Sequence, residues 1–265
     1  MRLDRLEIVL VHPETPANVG SVARACRNFG VSRICIVGSP GITEDGWARA
    51  TAHGCEELLA SARHVPTLEE ALRDHVFVVG TANRVRKGKL PPLQDPGAVV
   101  PELSEASGRG LCAVVFGCES HGLTDSDLAR CTRLLRIPSD VDHPSLNLAQ
   151  AALSVVQDCW RFERGIGSPA PSTSTVPRRG HESSDGGSPT IGELELLLRH
   201  AESLMAKAGF RPYAGDPETF RLAARRTLGR GNFERRDLRT MLTILKCLDR
   251  LEARGVLVHD KRSNG

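Results

Sequence analysis

Glu119 sits in the stretch FGCESHGLTD, Phe116 to Asp125, between Gly117 and Gly122. A carboxylate in a glycine-flanked loop can orient a substrate, and glycine lets a backbone approach a ligand closely or take a positive φ. The same pattern also describes an ordinary strand-to-helix turn with Thr124 as N-cap. Ser120 and His121 beside Glu119 invite comparison with a hydrolase triad. Neighbours in one turn cannot easily hydrogen-bond in triad order, however, and no G-x-S-x-G elbow is present. Cys112, Cys118, His121, Cys131 and His143 raise the question of zinc. No C-x-x-C or H-x-x-x-H pair occurs and Cys112 falls in an apolar strand, so no metal is expected. Neither G-x-G-x-x-G nor G-x-x-x-x-G-K-[ST] is found, which removes the usual phosphate cradles of nucleotide enzymes.

A second polar constellation lies in RIPSDVDHPSLNLAQAALSVV, Arg136 to Val156. An apolar strand ends at Ile137–Pro138, a polar loop follows, and Ser145-Leu146-Asn147 opens a long apolar helix. Capping accounts for one Ser or Asn at such a place, but not for Pro-Ser-Leu-Asn together.

The elements that must position these loops read as alternating strands and helices. Short apolar runs predict strands at 6–12, 33–38, 76–80, 112–117 and 133–138, and 3.6-residue periodicity predicts helices at 19–30, 45–60, 67–74, 98–107, 124–131 and 145–164. Continuous apolar strands alternating with helices indicate an α/β fold, a parallel sheet covered by helices on both faces. Ligands of such sheets bind beyond the C-terminal strand ends. Four loops leave those ends: HPETPANVGSVAR, GTANRVRKGKL, FGCESHGLTD and IPSDVDHPSLN.

This domain spans 1–164. Residues 165–189 hold 15 Gly, Pro or Ser among 25, a flexible linker by composition with an r.m.s. span of roughly 25–30 Å. Residues 190–265 form a small helical extension with three helical segments, Thr190 being an N-cap candidate. Charge divides unevenly: 18 basic against 20 acidic residues in 1–164, and 15 against 10 in 190–265. Much of the excess is Arg225, Arg226, Arg230, Arg235, Arg236 and Arg239, either a solvated helix face or an arm that contacts RNA phosphates. The eight scattered Cys suggest buried thiols in a reducing compartment. No apolar run approaches the length of a membrane span, and the N-terminal stretch lacks a signal-peptide cleavage site, so a cytoplasmic location without membrane attachment is expected.

ANVGSVARACRNFGV (with Asn18 and Arg24), VVFGCESHGL and LRIPSDVDHPSLNLAQAALSVV resemble, in order and spacing, motifs 1 to 3 of the SpoU branch of the SPOUT methyltransferases. LVHPETPANVGSVARA, GTANR and LTILKCLDRLEA are further similar to the TrmJ-type enzymes of that branch, which methylate the ribose 2′-OH of nucleotide 32 in the tRNA anticodon loop. The resemblance implies a C-terminal trefoil knot whose loops hold S-adenosylmethionine, and a homodimer. It places Thr81, Ala82, Asn83, Gly117, Ile137, Pro144, Ser145 and Leu146 around the cofactor. Ile137 and Leu146 read equally as core residues, and TAN at 81–83 departs from the Thr-Ser-Ala common in relatives. Arg24 is the implied catalytic residue. A guanidinium with a pKa above about 12 is a reluctant base, so clamping a phosphate and orienting the hydroxyl suits it better; a surface salt bridge is the plainer role. Asn18, Glu119, Ser145 and Asn147 would orient the site, although Asn18 and Asn147 could be helix-start residues only. Methylation of ribosomal RNA, or a catalytically silent RNA-binding protein on the same fold, are the alternatives.

Overall fold

A computed structural model of the chain describes residues 1–83, 90–140, 142, 144–166, 187–207, 221, 223–225, 227–228 and 233–253. It divides into two compact units, Met1–Arg179 and Gly180–Gly265.

The first unit is built on a seven-stranded sheet of β1 (Leu6–Val11), β2 (Arg33–Val37), β3 (Arg63–Val65), β4 (His75–Thr81), β5 (Leu93–Gln94), β6 (Leu111–Phe116) and β7 (Arg133–Leu135). Their order across the sheet is β3-β2-β1-β6-β4-β7-β5, and every pairing is parallel. All of β1 is buried, as a strand covered on both faces requires. Leu6, Ile8 and Leu10 join one core cluster with residues of α1 (Pro16–Asn28), α5 (Pro96–Ser107) and α7 (Leu148–Glu163). Val9, with Cys35, Val78 and Ala113, is buried outside that cluster, on the alternate positions that point to the opposite face.

Two strands carry no apolar run. β3 reads Arg-His-Val, and β5 follows Pro91-Pro92, which only an edge strand tolerates. The single helix expected over 45–60 is two, α2 (Gly46–Ala52) and α3 (Glu56–Ala60), because His53 takes φ +39° and ends the first. α4 (Leu68–Leu72) and α6 (Asp125–Ala129) are short. Thr124 does cap α6, with a reciprocal bond to Asp127. Seven of the eight Cys are buried and none is disulfide-bonded; burial pushes the thiols of Cys26, Cys112 and Cys159 up to about 12. Among the described residues no helix is long and apolar enough to cross a membrane.

In the second unit α8 (Ile191–Lys207) packs on α9 (Arg235–Ala253), burying Leu197, Leu198 and Leu238. Thr190 caps α8: its hydroxyl accepts the Glu193 N–H, and Glu193 accepts the Thr190 N–H at 2.8 Å. Lys207 pairs with Asp249 and Glu252 across the two helices. Of the third expected helix, residues 221, 223–225 and 227–228 are described and are helical. Most of the 165–189 linker lies outside the described residues.

Candidate functional site

The loops after β1, β6 and β7 are joined by one chain of hydrogen bonds. Glu119, in the loop after β6, accepts the backbone N–H of Glu14 (2.9 Å) and of Thr15 (3.1 Å) and the side-chain amide of Asn18 (2.8 Å). Asn18 in turn accepts the side-chain amide of Asn147 at 2.9 Å, and Asn147 accepts the N–H groups of Ala149 and Gln150 as the N-cap of α7. Both Asn orientations follow from this chain. A carboxylate only accepts, so Asn18 must turn its NH2 toward Glu119; the Asn147 oxygen is taken by the helix start, so its NH2 must face Asn18. Asn18 is therefore not a cap. The N-cap of α1 is Thr15, and Asn18 lies inside the first turn with its side chain committed to the other loops. Burial raises the Glu119 pKa, but the bonds from Asn18, Glu14, Glu119 and Thr15 outweigh it and hold the carboxyl below its usual range.

Beside this chain opens a cleft of about 690 Å³. Thr81, Ala82 and Asn83 line it from the end of β4, and Gly117 and Glu119 from the loop after β6. Ile137, Pro144, Ser145 and Leu146 line it from the loop after β7, with Leu135 and Leu148 beneath. All eight residues expected around a cofactor thus converge on one cleft. The Thr81 hydroxyl is fixed on the Val115 carbonyl (3.0 Å), and Ala82 N–H donates to the Leu135 carbonyl (3.0 Å), locking the two walls together. Ser139 braces the last loop by donating to the Pro144 carbonyl at 3.0 Å.

Gly117 serves a different need from the one its sequence context suggests. A Cβ there would stand 2.1 Å from the Gly122 carbonyl carbon and 2.2 Å from the Leu123 nitrogen, so glycine is demanded by the chain's own turn. Gly122 closes that turn at φ +71°. Arg24 is exposed on α1, outside the cleft lining, and makes no ion pair among the described residues. In the second unit Arg225 pairs with Glu195 at 2.5 Å, Arg235 with Glu193 at 2.9 Å and Arg236 with Glu234 at 2.8 Å, while Arg226 and Arg230 lie outside the described residues.

The sequence reading missed Glu14. Its side chain accepts the Ser120 hydroxyl at 2.5 Å, and Ser120 also meets His121 Nδ1 at 2.9 Å. The neighbouring Ser and His do touch, but the carboxylate holds the serine and not the histidine, which is not the order of a hydrolase triad. The one signal for Glu14 is its place in a loop at a C-terminal strand end.

The profile of the SpoU rRNA methylase family matches residues 5–156. The chain belongs to the SpoU methylase family. Membership makes it an RNA methyltransferase, and its cleft-lining loops fall within or beside the matched span. This SpoU methylase is 34% identical over 249 residues to the tRNA (cytidine/uridine/adenosine-2′-O-)-methyltransferase TrmJ of Pseudomonas aeruginosa strain UCBPP-PA14, covering 92% of this chain and 93% of that protein. It is 32% identical over 211 residues to the tRNA (cytidine/uridine-2′-O-)-methyltransferase TrmJ of Cronobacter sakazakii strain ATCC BAA-894, covering 78% and 81%. The crystal structure of TrmJ from Zymomonas mobilis ZM4 superposes with a TM-score of 0.74 at 26% identity, over 92% of this chain and 98% of that one.

Proposed function

We propose that this SpoU methylase transfers a methyl group from S-adenosylmethionine to a ribose 2′-OH of tRNA, at nucleotide 32 of the anticodon loop, as a cytoplasmic homodimer. The observation that carries the reading is the hydrogen-bonded chain from Glu119 through Asn18 to Asn147, which ties three strand-end loops together along the edge of a single cleft. The 2′-O-methyltransferase activity of the TrmJ relatives on tRNA supports the tRNA ribose as substrate.

The cleft suits the cofactor by size and by chemistry. Its volume falls within the ~300–1,000 Å³ typical of small-molecule sites. Ile137 and Leu146 offer apolar walls, and the strand-end backbone at 81–83 and 117 offers polar groups for a nucleoside. When bound, S-adenosylmethionine supplies an electrophilic methyl group. The protein's own task is to place the ribose hydroxyl and take charge of its proton. Arg24, exposed and without an intramolecular ion pair among the described residues, is free to clamp an RNA phosphate and orient the hydroxyl, the proton leaving to phosphate or water. Glu119, Asn18 and Asn147 act as positioning residues, holding the motif 1 and motif 3 loops in register. Ser145, exposed on the cleft wall, is placed to contact the bound groups. The basic second unit adds phosphate contacts through the arginines at 225, 226, 230, 235, 236 and 239, of which 225, 235 and 236 also pair with Glu195, Glu193 and Glu234.

The test is incubation of the protein with tritiated S-adenosylmethionine and separate pools of tRNA and ribosomal RNA, followed by mapping of the labelled nucleotide. Label confined to the ribose of tRNA nucleotide 32 is the expected result. Label in ribosomal RNA alone moves the substrate to the class in the family's name. Cofactor binding without label on either RNA makes the protein a silent RNA binder.

A further inference from the structure

Trp47, in the first turn of α2, is 72% exposed, and no other aromatic among the described residues is exposed. We propose that its indole is a stacking platform for an unpaired base of the RNA substrate. The inference rests on the RNA methyl-transfer reading and adds a recognition surface outside the cleft lining.

Three observations carry the assignment. The first is the contrast between the chain's two tryptophans. Tryptophan is strongly buried on average. Trp160 obeys that rule, packed edge-on against Phe29 with ring centroids 5.7 Å apart, whereas Trp47 stands in solvent. The second is the rigidity of its mount. Asp45 accepts the Trp47 N–H at 2.7 Å. The Thr51 hydroxyl, one turn on, is shared between the Trp47 carbonyl (2.8 Å) and the Ala17 carbonyl of α1 (2.9 Å). Ala48 is fully buried, and a Cβ on Gly20 of α1 would stand 2.0 Å from its carbonyl oxygen. α2 is thus locked on α1, the helix that carries Asn18 and Arg24. A ring held on a fixed backbone binds with little ordering cost.

The third is charge and place. α1 and α2 carry three exposed arginines, Arg24, Arg27 and Arg49, and no carboxylate. None of the three makes an ion pair among the described residues. Glu44 and Asp45 precede α2, and Asp45 is spent on its cap. Guanidinium groups meet phosphates and an indole meets the flat face of a base, so the combination fits nucleic acid. The base must be unpaired, because a base inside a duplex keeps its faces on its neighbours. β1 and β2 are parallel neighbours, so the segment leading into α2 leaves the same edge of the sheet as the loop carrying Glu14 and Asn18.

The experiment uses the full chain and reads tryptophan fluorescence as RNA is added. The probe is an RNA stem-loop carrying the tRNA anticodon loop, and a perfect duplex of equal length is the control. The stem-loop should quench the wild type and the duplex should not. Trp47→Phe should abolish the quench while keeping most of the affinity, since a phenyl ring still stacks. Trp47→Ala should weaken stem-loop binding and raise KM for tRNA by roughly 5–150-fold. Its kcat at saturating tRNA, its S-adenosylmethionine affinity and its oligomeric mass should stay unchanged. No loop-specific quench in the wild type, a quench that survives Trp47→Phe, or a wild-type KM in Trp47→Ala each overturns the platform. A Trp47→Ala protein that falls to monomers makes the indole a contact between protomers and overturns it as well. A Trp47-dependent quench without methyl transfer to any RNA upholds the platform and removes the methyl-transfer reading.

Discussion

Replacing Glu119 by glutamine probes the junction of the three loops with almost no change of shape. In the wild type Oε1 takes the N–H of Thr15 and the amide of Asn18, and Oε2 takes the N–H of Glu14. Glutamine can keep the first oxygen's two bonds, now without charge assistance, but its NH2 must face the Glu14 N–H, donor against donor. Hydrogen bonds to a charged partner contribute about 1.5–3 kcal/mol each, and the neutral versions about half that. Glu119 is only partly buried, so water recovers some of the loss. A net destabilisation of about 1–3 kcal/mol follows, which for a unit of this size lowers Tm by about 3–10 °C. The pH dependence has a definite sign. The folded carboxyl titrates below its unfolded value of about 4.3, so its contribution is complete above that pH and is lost as pH falls through the lowered folded value. Thermal or urea unfolding of both proteins from pH 7 downward should show a gap at neutrality that narrows below about pH 4. Equal stability at pH 7, or a gap that widens on acidification, would show that Glu119 does not tie the loops together.

Gly117→Ala should cost more than about 3 kcal/mol in urea unfolding, since the new methyl meets unyielding backbone at 2.1 and 2.2 Å, whereas Gly122→Ala, with nothing within 4 Å of its Cβ, should cost only the ~1–2 kcal/mol of a positive φ. Equal losses would contradict the contact geometry. Arg24→Ala should fold with unchanged Tm and bind S-adenosylmethionine normally while methyl transfer to tRNA falls by at least about 100-fold, and Arg24→Lys should remain poor because an ammonium cannot make a bidentate clamp. Near-normal turnover at saturating tRNA would return Arg24 to the surface. Glu7→Gln should destabilise by about 2–3 kcal/mol, less than for a fully buried pair because Arg63 is partly exposed: Glu7 Oε2 lies 2.8 Å from Arg63 and 3.2 Å from the buried His75. Burial raises the Glu7 pKa, but His75 and Arg63 outweigh it, so this stabilisation is present at neutral pH and disappears on acidification.

The parallel sheet was readable because five of its strands are apolar runs, and an apolar run is what double-sided burial demands. β3 and β5 were not. Arg63-His64 and Leu93-Gln94 join the sheet at its edges through backbone bonds, which are indifferent to side-chain type. The break at His53 did have a signal, Gly54 at φ +80°, a helix-stop residue that the apolar periodicity on either side overran. The arginines at 225, 235 and 236 show the same limit for charge. Composition displays six basic side chains in a short stretch, but only coordinates reveal that Glu193, Glu195 and Glu234 stand against three of them.

The site was legible loop by loop and illegible as a junction. Asn18, Glu119 and Asn147 each stood out by type and position, yet 101 residues separate Asn18 from Glu119 and 129 separate it from Asn147. What closes those distances is strand order. β6 enters the sheet between β1 and β4, so the loop carrying Glu119 must leave beside the loop carrying Glu14, Thr15 and Asn18. β7 enters between β4 and β5, so the segment from Leu135 onward must leave beside Thr81 to Asn83, where Ala82 is bonded to Leu135. The same insertion of β6 brings Ser120 against Glu14, whose carboxylate accepts the serine hydroxyl across the two loops, a contact that neither loop's own sequence announces.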